Sequence, residues 1–441
     1  VSVQKPREIA AQILRRRRQG AVFVEELLEQ AFAQSQLLPA DRGLCQELVY
    51  GVIRWQAALD WLIARKTTSG REQKPVLQDL LRLGLYQIFW LDRIPDHAAV
   101  HETVELAKRG DFRAQAGFVN AILRGYLREA DATRQALAEL KKTQPHIGWS
   151  HPAWLVSRWQ KHWGAEKTAL LLEWNNTPPM TFARVNTLKT DAEKLLVQWR
   201  DENVEYDFVR RDWFEENLVF ELKSHPSLAK LPSFQQGLFY VQDPSTLLAV
   251  RELNPQPGET ILDMCAAPGG KTTFIAQLMR NEGRIVACDV SAGRLKLVEE
   301  NCARLGVTSV EQRAAGILPA EQTGTASGTL AARFDRVLID APCTNTGVMC
   351  RRVDLRWRIQ PTEIERLRAT QLGLLRRAAT VLKPGGALIY STCSLEPEEN
   401  NEVVKQFLSE HADFKLEHER ELLPFTDNVD GAFVARLRKF S

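Results

Sequence analysis

Asp263-Met264-Cys265-Ala266-Ala267-Pro268-Gly269-Gly270-Lys271-Thr272 decides how the C-terminal half of the chain is read. The run TILDMC (260–265) reads as a strand and the residues from Thr272 as a helix, so both glycines lie in a strand-to-helix turn. Glycine lets backbone come close to a ligand, and a helix N-terminus offers unpaired N–H groups to an anion such as a carboxylate. Two phosphate-binding patterns do not fit. A P-loop needs glycine where Cys265 stands, and the dinucleotide fingerprint GxGxxG is absent. About 20 residues past the glycines, an acid closing the second strand commonly takes the hydroxyls of a ribose. Asp289 in RIVACDV (284–290) holds that place, although alone it would serve as a helix cap for SAGRLK (291–296). The two features together favour a cofactor, and ribose plus carboxylate without phosphates indicates S-adenosylmethionine.

Outward from this turn, strands and helices alternate. SVEQRAA (309–315), RVLIDAPC (336–343) and ALIYSTCS (387–394) read as strands, with helices over 291–306, 365–382 and 398–411. Such alternation predicts an α/β Rossmann-like domain with a doubly wound, parallel sheet and its ligand at the carboxyl ends of the strands. The final AFVARLRKF (432–440) is expected to add an edge strand.

Toward the N-terminus the pattern changes. From Pro6 to about residue 130, segments such as CQELVYGVIRWQAALDWLI and LQDLLRLGLYQIFWL carry apolar residues at three-and-four spacing, which predicts an all-α bundle. A polar stretch (128–148) then leads to His151 and Pro152. Between about 150 and 240, a Trp-rich helical piece precedes a strand at TFARVNTLK, a helix at DAEKLLVQWRDEN, and strands at VEYDFV, NLVFELK and GLFYV. Three domains are therefore expected: 1–130, an all-α domain; 150–240, a small α/β domain; and 241–441, the α/β domain with the glycine turn.

Composition excludes more than it identifies. With 44% hydrophobic and 26% charged residues, the chain is ordinary globular protein rather than disordered or collagen-like. No apolar run approaches the roughly 18–20 residues of a membrane span, and no apolar segment follows the charges at the N-terminus, so a cytoplasmic protein is expected. A net charge of +3 is too small to establish a nucleic-acid partner, and the run Arg15–Arg18 reads as readily as a solvated helix face. The seven cysteines are odd in number and form no CxxC pair, so free thiols and no structural metal are expected. His97 and His101 lie one helical turn apart without a third ligand.

Two cysteines stand out by position. Cys343 and Cys393 end predicted strands, where the ligand crevice of such a sheet lies and where a thiol can act as a thiolate nucleophile. Cys45, Cys288 and Cys302 fall within strand or helix patterns and read as packing, Cys265 shapes the glycine turn, and Cys350 fits either reading. A methyl donor, two thiols and a carboxylate suit one reaction. The C5 carbon of a pyrimidine is a poor nucleophile, but thiolate addition at C6 makes it enamine-like. Methylation, loss of the C5 proton and elimination of the thiol then follow, which divides one hard step into easier ones. Asp340 is placed to hydrogen-bond the N3/N4 edge of cytosine, or else simply closes its strand.

These residues resemble the RNA cytosine-C5 methyltransferases, and within them the bacterial 16S ribosomal RNA subgroup that carries an N-terminal NusB-like domain. The resemblance rests on CAAPGGKT (265–272), DAPCTNTGV (340–348), RRVDLRW (351–357) and STCSLEPEEN (391–400). DRGLCQELVYGVIRW (41–55), residues 81–108 and GFVNAILR (117–124) resemble the NusB-like domain, and VNTLKT (185–190) and VQDPST (241–246) the linking domain. It implies an S-adenosylmethionine-dependent enzyme acting on 16S ribosomal RNA or a small-subunit precursor, as a monomer without metal or membrane attachment. It also implies that Cys393 attacks C6 and that Cys343 assists proton removal or product release. Cys265, Ala266, Ala267, Pro268, Gly269, Gly270, Lys271, Asp289 and Asp340 would line the cofactor and base site. Two positions depart from the family pattern. Ala315 stands where an acidic residue usually contacts the adenine, predicting weaker cofactor binding or a substitute contact, and Asn345 stands where glycine is common.

Arg351, Arg352, Arg356 and Arg358 follow Cys343 closely and are expected to grip RNA phosphates, with an ion-pair cluster around Asp354 as the competing reading. Trp149, Trp154, Trp159 and Trp163 offer faces on which bases could stack, but at helical spacing they are expected to pack in a core. A transfer-RNA or other ribosomal-RNA cytosine is the alternative substrate. A non-catalytic RNA-binding assembly factor is the alternative of another class, disfavoured by the presence of both cysteines.

Overall fold

The computed structural model describes residues 5–20, 22–67, 74–110, 112–314 and 334–440. Its contacts gather into two units: Val1–Thr177 with Met349–Arg358, and Pro178–Val348 with Ile359–Ser441. Helix Ala153–Trp174 falls with the N-terminal helices, and both sheets fall in the second unit.

The first unit is helical. Helices Pro6–Arg17, Pro39–Arg54 and Pro75–Trp90 each open on proline, whose missing N–H costs nothing in a first turn. Pro75–Trp90 buries Leu77, Leu80, Leu81, Leu83, Leu85 and Ile88, apolar on nearly all sides as a central helix must be. Residues 130–143, part of the polar stretch that was expected to connect domains, form a helix instead. Only Thr133 and Leu140 are buried on it, a stripe too narrow to mark a helix by its apolar pattern. Trp159 is buried and Trp149 stacks on Trp55 at 6.3 Å, so these two tryptophans pack within the unit.

The segment after Cys343 corrects one expectation. Met349–Arg358 packs into the helical unit, with Val353 in its apolar core. Arg356 is fully buried there, and its guanidinium donates to Asn176 Oδ1 (2.7 Å) and to the carbonyls of Asn175 (2.7 Å), Arg54 (3.2 Å) and Ser150 (3.3 Å). Trp357 Nε1 donates to the Ile53 carbonyl at 2.8 Å. Asp354, also buried, pairs with Arg358 at 2.8 Å and with Arg17. Arg356 is thus a structural cation rather than a phosphate ligand, because four protein acceptors already take its N–H groups. The Arg15–Arg18 run ends a helix, where cations suit the dipole, and Arg18 pairs with Asp79 at 2.9 Å.

The second unit holds two sheets. In the small one, β1 (Thr181–Val185), β2 (Glu205–Phe208), β3 (Val219–Ser224) and β4 (Phe239–Val241) pair antiparallel in the order β2-β3-β1-β4. Helix Ala192–Asp201, capped by Asp191 accepting from Lys194 N at 2.9 Å, buries Trp199 against Phe220 and Phe239. The large sheet contains β5 (Thr260–Asp263), β6 (Arg284–Asp289), β7 (Val310–Ala314), β8 (Phe334–Asp340), β9 (Leu382–Thr392), β10 (Phe414–Leu422) and β11 (Ala432–Lys439). Their order is β10-β11-β9-β8-β5-β6-β7, with β9 through β7 parallel and the other two antiparallel. The parallel strands β5, β6 and β8 read as near-continuous apolar runs because helices cover both faces.

The last strand is not an edge. β11 lies between β9 and β10, and its first four residues are buried; the edge on that side is β10, whose FKLEHEREL mixes exposed charges with few apolar residues. The chain runs outward from β5 through β6 to β7, then continues on the other side of β5 with β8 and β9. That reversal puts a switch point between β5 and β8, where open α/β sheets bind ligands. Among the described residues no helix is long and apolar enough to cross a membrane.

Candidate active site

Four strand ends meet at the switch point: Asp263 closes β5, Asp289 closes β6, Asp340 closes β8, and Cys393 follows β9. The glycine turn begins at Asp263, which is fully buried, and burial pushes its carboxyl up to about 7. Thr272 Oγ1 donates to Asp263 Oδ2 at 2.7 Å, closing the turn on itself, while Asp263 Oδ1 has no hydrogen-bond partner. Gly269 takes φ +103°, and a Cβ there would lie 3.3 Å from Val298 Cα, so both conformation and space call for glycine. Gly270 then opens helix Gly270–Leu278.

Asp289 holds the turn from the side. Its Oδ2 accepts from Ala267 N at 3.2 Å and its Oδ1 from Ser291 N at 3.0 Å. The cap of helix Ala292–Leu305 is Ser291, which accepts from Arg294 N at 3.3 Å, so the helix-cap reading of Asp289 does not hold. Arg294 in turn donates to the Ala267 carbonyl at 2.7 Å. The Cys265 thiol is pushed far up by burial and then by the carboxylates of Asp340, Asp263 and Asp289, which keeps it protonated.

Lys271 reaches from the helix start to Asp340, Nζ to Oδ2, at 2.6 Å. Burial works against its ammonium, but the charge and hydrogen bond of Asp340, with Cys393 and Asp263 beyond, hold its pKa above the usual value.

The two strand-end cysteines come together. Cys343 Sγ and Cys393 Sγ are 3.3 Å apart, Cys343 buried and Cys393 half-buried. Cys393 Sγ donates to Asn345 Oδ1 at 2.9 Å, and Asn345 Nδ2 donates to the Cys343 carbonyl at 2.7 Å. Asn345 sits at φ +56°, a left-handed conformation that asparagine tolerates better than most residues, which accounts for its standing in place of glycine. The Cys343 thiol is raised well above its ordinary value, first by its hydrogen bond with Cys393 and then by burial. A backbone tie joins the loops as well, Gly347 N donating to the Cys393 carbonyl at 2.9 Å.

Residues that the sequence reading did not single out complete the site. Glu399, Thr344, Ser394 and Gln371 form one buried polar cluster beneath the two cysteine loops. A carboxyl in the run Glu396-Pro397-Glu398-Glu399 reads as surface, and no spacing rule marks it otherwise. Ala315 lies outside the described residues.

With this geometry in hand, three parts of the chain match known families: residues 4–128 the NusB family, 151–221 the ferredoxin-like domain of RsmF/B-like methyltransferases, and 250–438 the 16S rRNA methyltransferase RsmB/F family. A Bacillus subtilis (strain 168) relative named "Probable ribosomal RNA small subunit methyltransferase B" is 36% identical across 98% of both chains. The chain belongs to the RsmB/F methyltransferase family. A second relative, ribosomal RNA small subunit methyltransferase B of Erwinia tasmaniensis, is 35% identical over 95% of this chain and 97% of its own. Among solved structures, NSun6 from Pyrococcus horikoshii, determined with SFG, is 25% identical with a TM-score of 0.57 over 66% of this chain and 98% of that one. As an RsmB/F methyltransferase, the chain carries its enzyme domain in the large mostly parallel sheet, behind a NusB domain and a ferredoxin-like domain.

Proposed function

We propose that this chain transfers a methyl group from S-adenosylmethionine to C5 of a cytosine in 16S ribosomal RNA, through a covalent bond between Cys393 and C6. The observation that carries this reading is the pair of thiols 3.3 Å apart beside the Lys271–Asp340 pair, at the carboxyl ends of the strands. The named relatives act on small-subunit ribosomal RNA, and SFG in the NSun6 structure is an analogue of the proposed cofactor.

The glycine turn fits that cofactor. The left-handed Gly269 leaves the backbone bare at the helix start, where N–H groups suit a carboxylate. Each Asp289 oxygen accepts one backbone N–H and Oδ2 also faces Arg294 at 3.7 Å, which leaves Oδ1 a lone pair for a ribose hydroxyl. When bound, S-adenosylmethionine supplies an electrophilic methyl group on a sulfonium, which the activated C5 carbon takes.

Cys393, half-buried rather than buried, is the thiol open to a base and attacks C6 as thiolate. Asp340 accepts from the N4 amino group and fixes the ring beside Cys393 as the sulfur adds. Cys343 stands behind Cys393 and serves the later half of the cycle, when the C5 proton leaves and the C6–S bond breaks. The NusB-matching helices are read as the RNA-gripping part, and the reaction as cytoplasmic.

The test is methyl transfer by the purified chain to unmodified 16S ribosomal RNA. Label recovered as 5-methylcytosine in a nuclease digest, lost in Cys393→Ala, supports the reading. Label on any other atom, or a fully active Cys393→Ala variant, overturns it.

A further inference from the structure

Cys343 and Cys393 lie fifty residues apart in the chain, on loops that follow different strands, so no local covalent geometry sets the distance between their sulfurs. Each is followed at once by a hydroxyl residue, Thr344 or Ser394, and both hydroxyls turn to the same carboxylate, Glu399. Glu399 accepts from Thr344 N (3.0 Å), Thr344 Oγ1, Ser394 Oγ (2.5 Å) and Gln371 Nε2 (3.1 Å), and the residue is 0% exposed. An ionised carboxylate has about four lone-pair sites, and four donors fill them. The two hydroxyls also meet each other, Thr344 Oγ1 to Ser394 Oγ, at 3.1 Å.

The carboxylate is itself anchored. Tyr390 on β9 donates to the Glu399 carbonyl at 2.5 Å, and the next residue, Asn400, binds Thr392 Oγ1 (2.6 Å) and the Ser394 carbonyl (2.9 Å). Burying a carboxylate is costly, and burial does push the Glu399 carboxyl up. An apolar residue would fill the space, but it would accept from neither loop.

We propose that Glu399 is the positioning residue that sets the separation of the two sulfurs, holding Cys343 at hand for breakdown of the adduct on Cys393. The claim about breakdown rests on the methyl-transfer reading above; the claim about distance does not. Releasing the clamp should slow elimination more than attack. A Glu399 variant should therefore accumulate an SDS-resistant protein–RNA adduct although both cysteines are present.

The experiment uses the full chain as Glu399→Ala, Glu399→Gln and Thr344→Val. Diamide takes two electrons and two protons from a thiol pair, and peptide mapping reads the rate at which the Cys343–Cys393 disulfide forms. Alkylation of Cys393 by N-ethylmaleimide in the same samples corrects for its reactivity. Glu399→Ala should form the disulfide roughly tenfold to a hundredfold more slowly, since small misplacements of reacting atoms carry penalties of that size. Glu399→Gln, which keeps one acceptor, should recover part of the rate. Should Glu399→Ala fail to fold, Thr344→Val carries the test, as it deletes one hydroxyl and keeps the carboxylate. With ribosomal RNA and S-adenosylmethionine, the folded variants should lose kcat, keep KM and show the trapped adduct. Wild-type disulfide rates in folded Glu399→Ala and Thr344→Val overturn the proposal. A slowed disulfide in a protein whose wild type never methylates RNA overturns the functional reading and leaves the distance claim supported.

Discussion

Lys271 Nζ lies 2.6 Å from Asp340 Oδ2, an ion pair that ties the first turn of the helix after β5 to the end of β8 across the switch point of the sheet. One end of the pair belongs to the glycine turn and the other to the loop leading to Cys343. Any ligand in the crevice therefore meets a carboxylate whose position is already set. Asp340→Asn keeps the shape, removes the charge and strands the ammonium. We expect kcat for methyl transfer to fall roughly 10²–10³-fold, the usual cost of one lost preorganised contact to the reacting group. Undiminished kcat would argue that Asp340 only closes its strand.

Cys393→Ala should abolish both methylation and any covalent complex with 5-fluorocytosine-substituted RNA. Cys343→Ala should do the reverse, accumulating an adduct on ordinary RNA that survives SDS. Normal turnover without trapped protein in Cys343→Ala would remove the release role of that thiol.

His151 predicts a pH dependence of stability. It is buried with Nδ1 2.6 Å from the Trp149 carbonyl and Nε2 3.3 Å from Asn175 Nδ2, and burial, then the Arg356 cation, hold its pKa well below the ordinary value. The folded ring stays neutral where the unfolded one gains a proton near pH 6.5, so unfolding takes up a proton in acid. Stability should be unaffected by this group at pH 7.5 and fall as pH drops below about 6.5, by up to about 1.4 kcal/mol per unit. Urea melts at pH 7.5, 6.5 and 5.5 check this. His151→Gln should be less stable at pH 7.5 and show a shallower slope in acid, and an equal slope would count against the assignment.

Arg356→Met separates a structural cation from a phosphate ligand. It leaves the acceptors of Asn175, Asn176, Ser150 and Arg54 without their donor, each buried group costing about 1–3 kcal/mol if unsatisfied. A clear loss in thermal stability is expected. The salt dependence of RNA binding should keep its slope, whereas losing a phosphate contact would lower that slope by about 1.

How far the sequence could be read depended on whether a residue's job was local. The glycine turn, Asp289 and the βαβ alternation are local, since strand-to-helix spacing alone brings them to one end of a sheet. The strands of the small sheet were equally legible from their alternation. Arg356 was misread because four arginines in eight residues look like a surface patch, while the acceptors that bury it lie some 180 to 300 positions earlier. Glu399 escaped notice because acids before a helix are ordinary, and only the fold brings Thr344 and Gln371 to it. β11 was taken for an edge because an antiparallel strand added last commonly is one. Its almost uncharged FVA start, buried on both faces, was the clue that it sits between partners.

The position of β11 also bears on how this molecule comes into being. Phe433 pairs with Thr392, the residue before Cys393, so the strand leading to that sulfur has β8 on one side but lacks its second neighbour until residues 432–439 have been synthesised. On a translating ribosome the helices before residue 177 wait for residues 349–358 to complete their core, and the thiol pair waits longer still, for β11. Nascent chains that stop short of residue 432 should therefore hold the two sulfurs in an unfinished sheet.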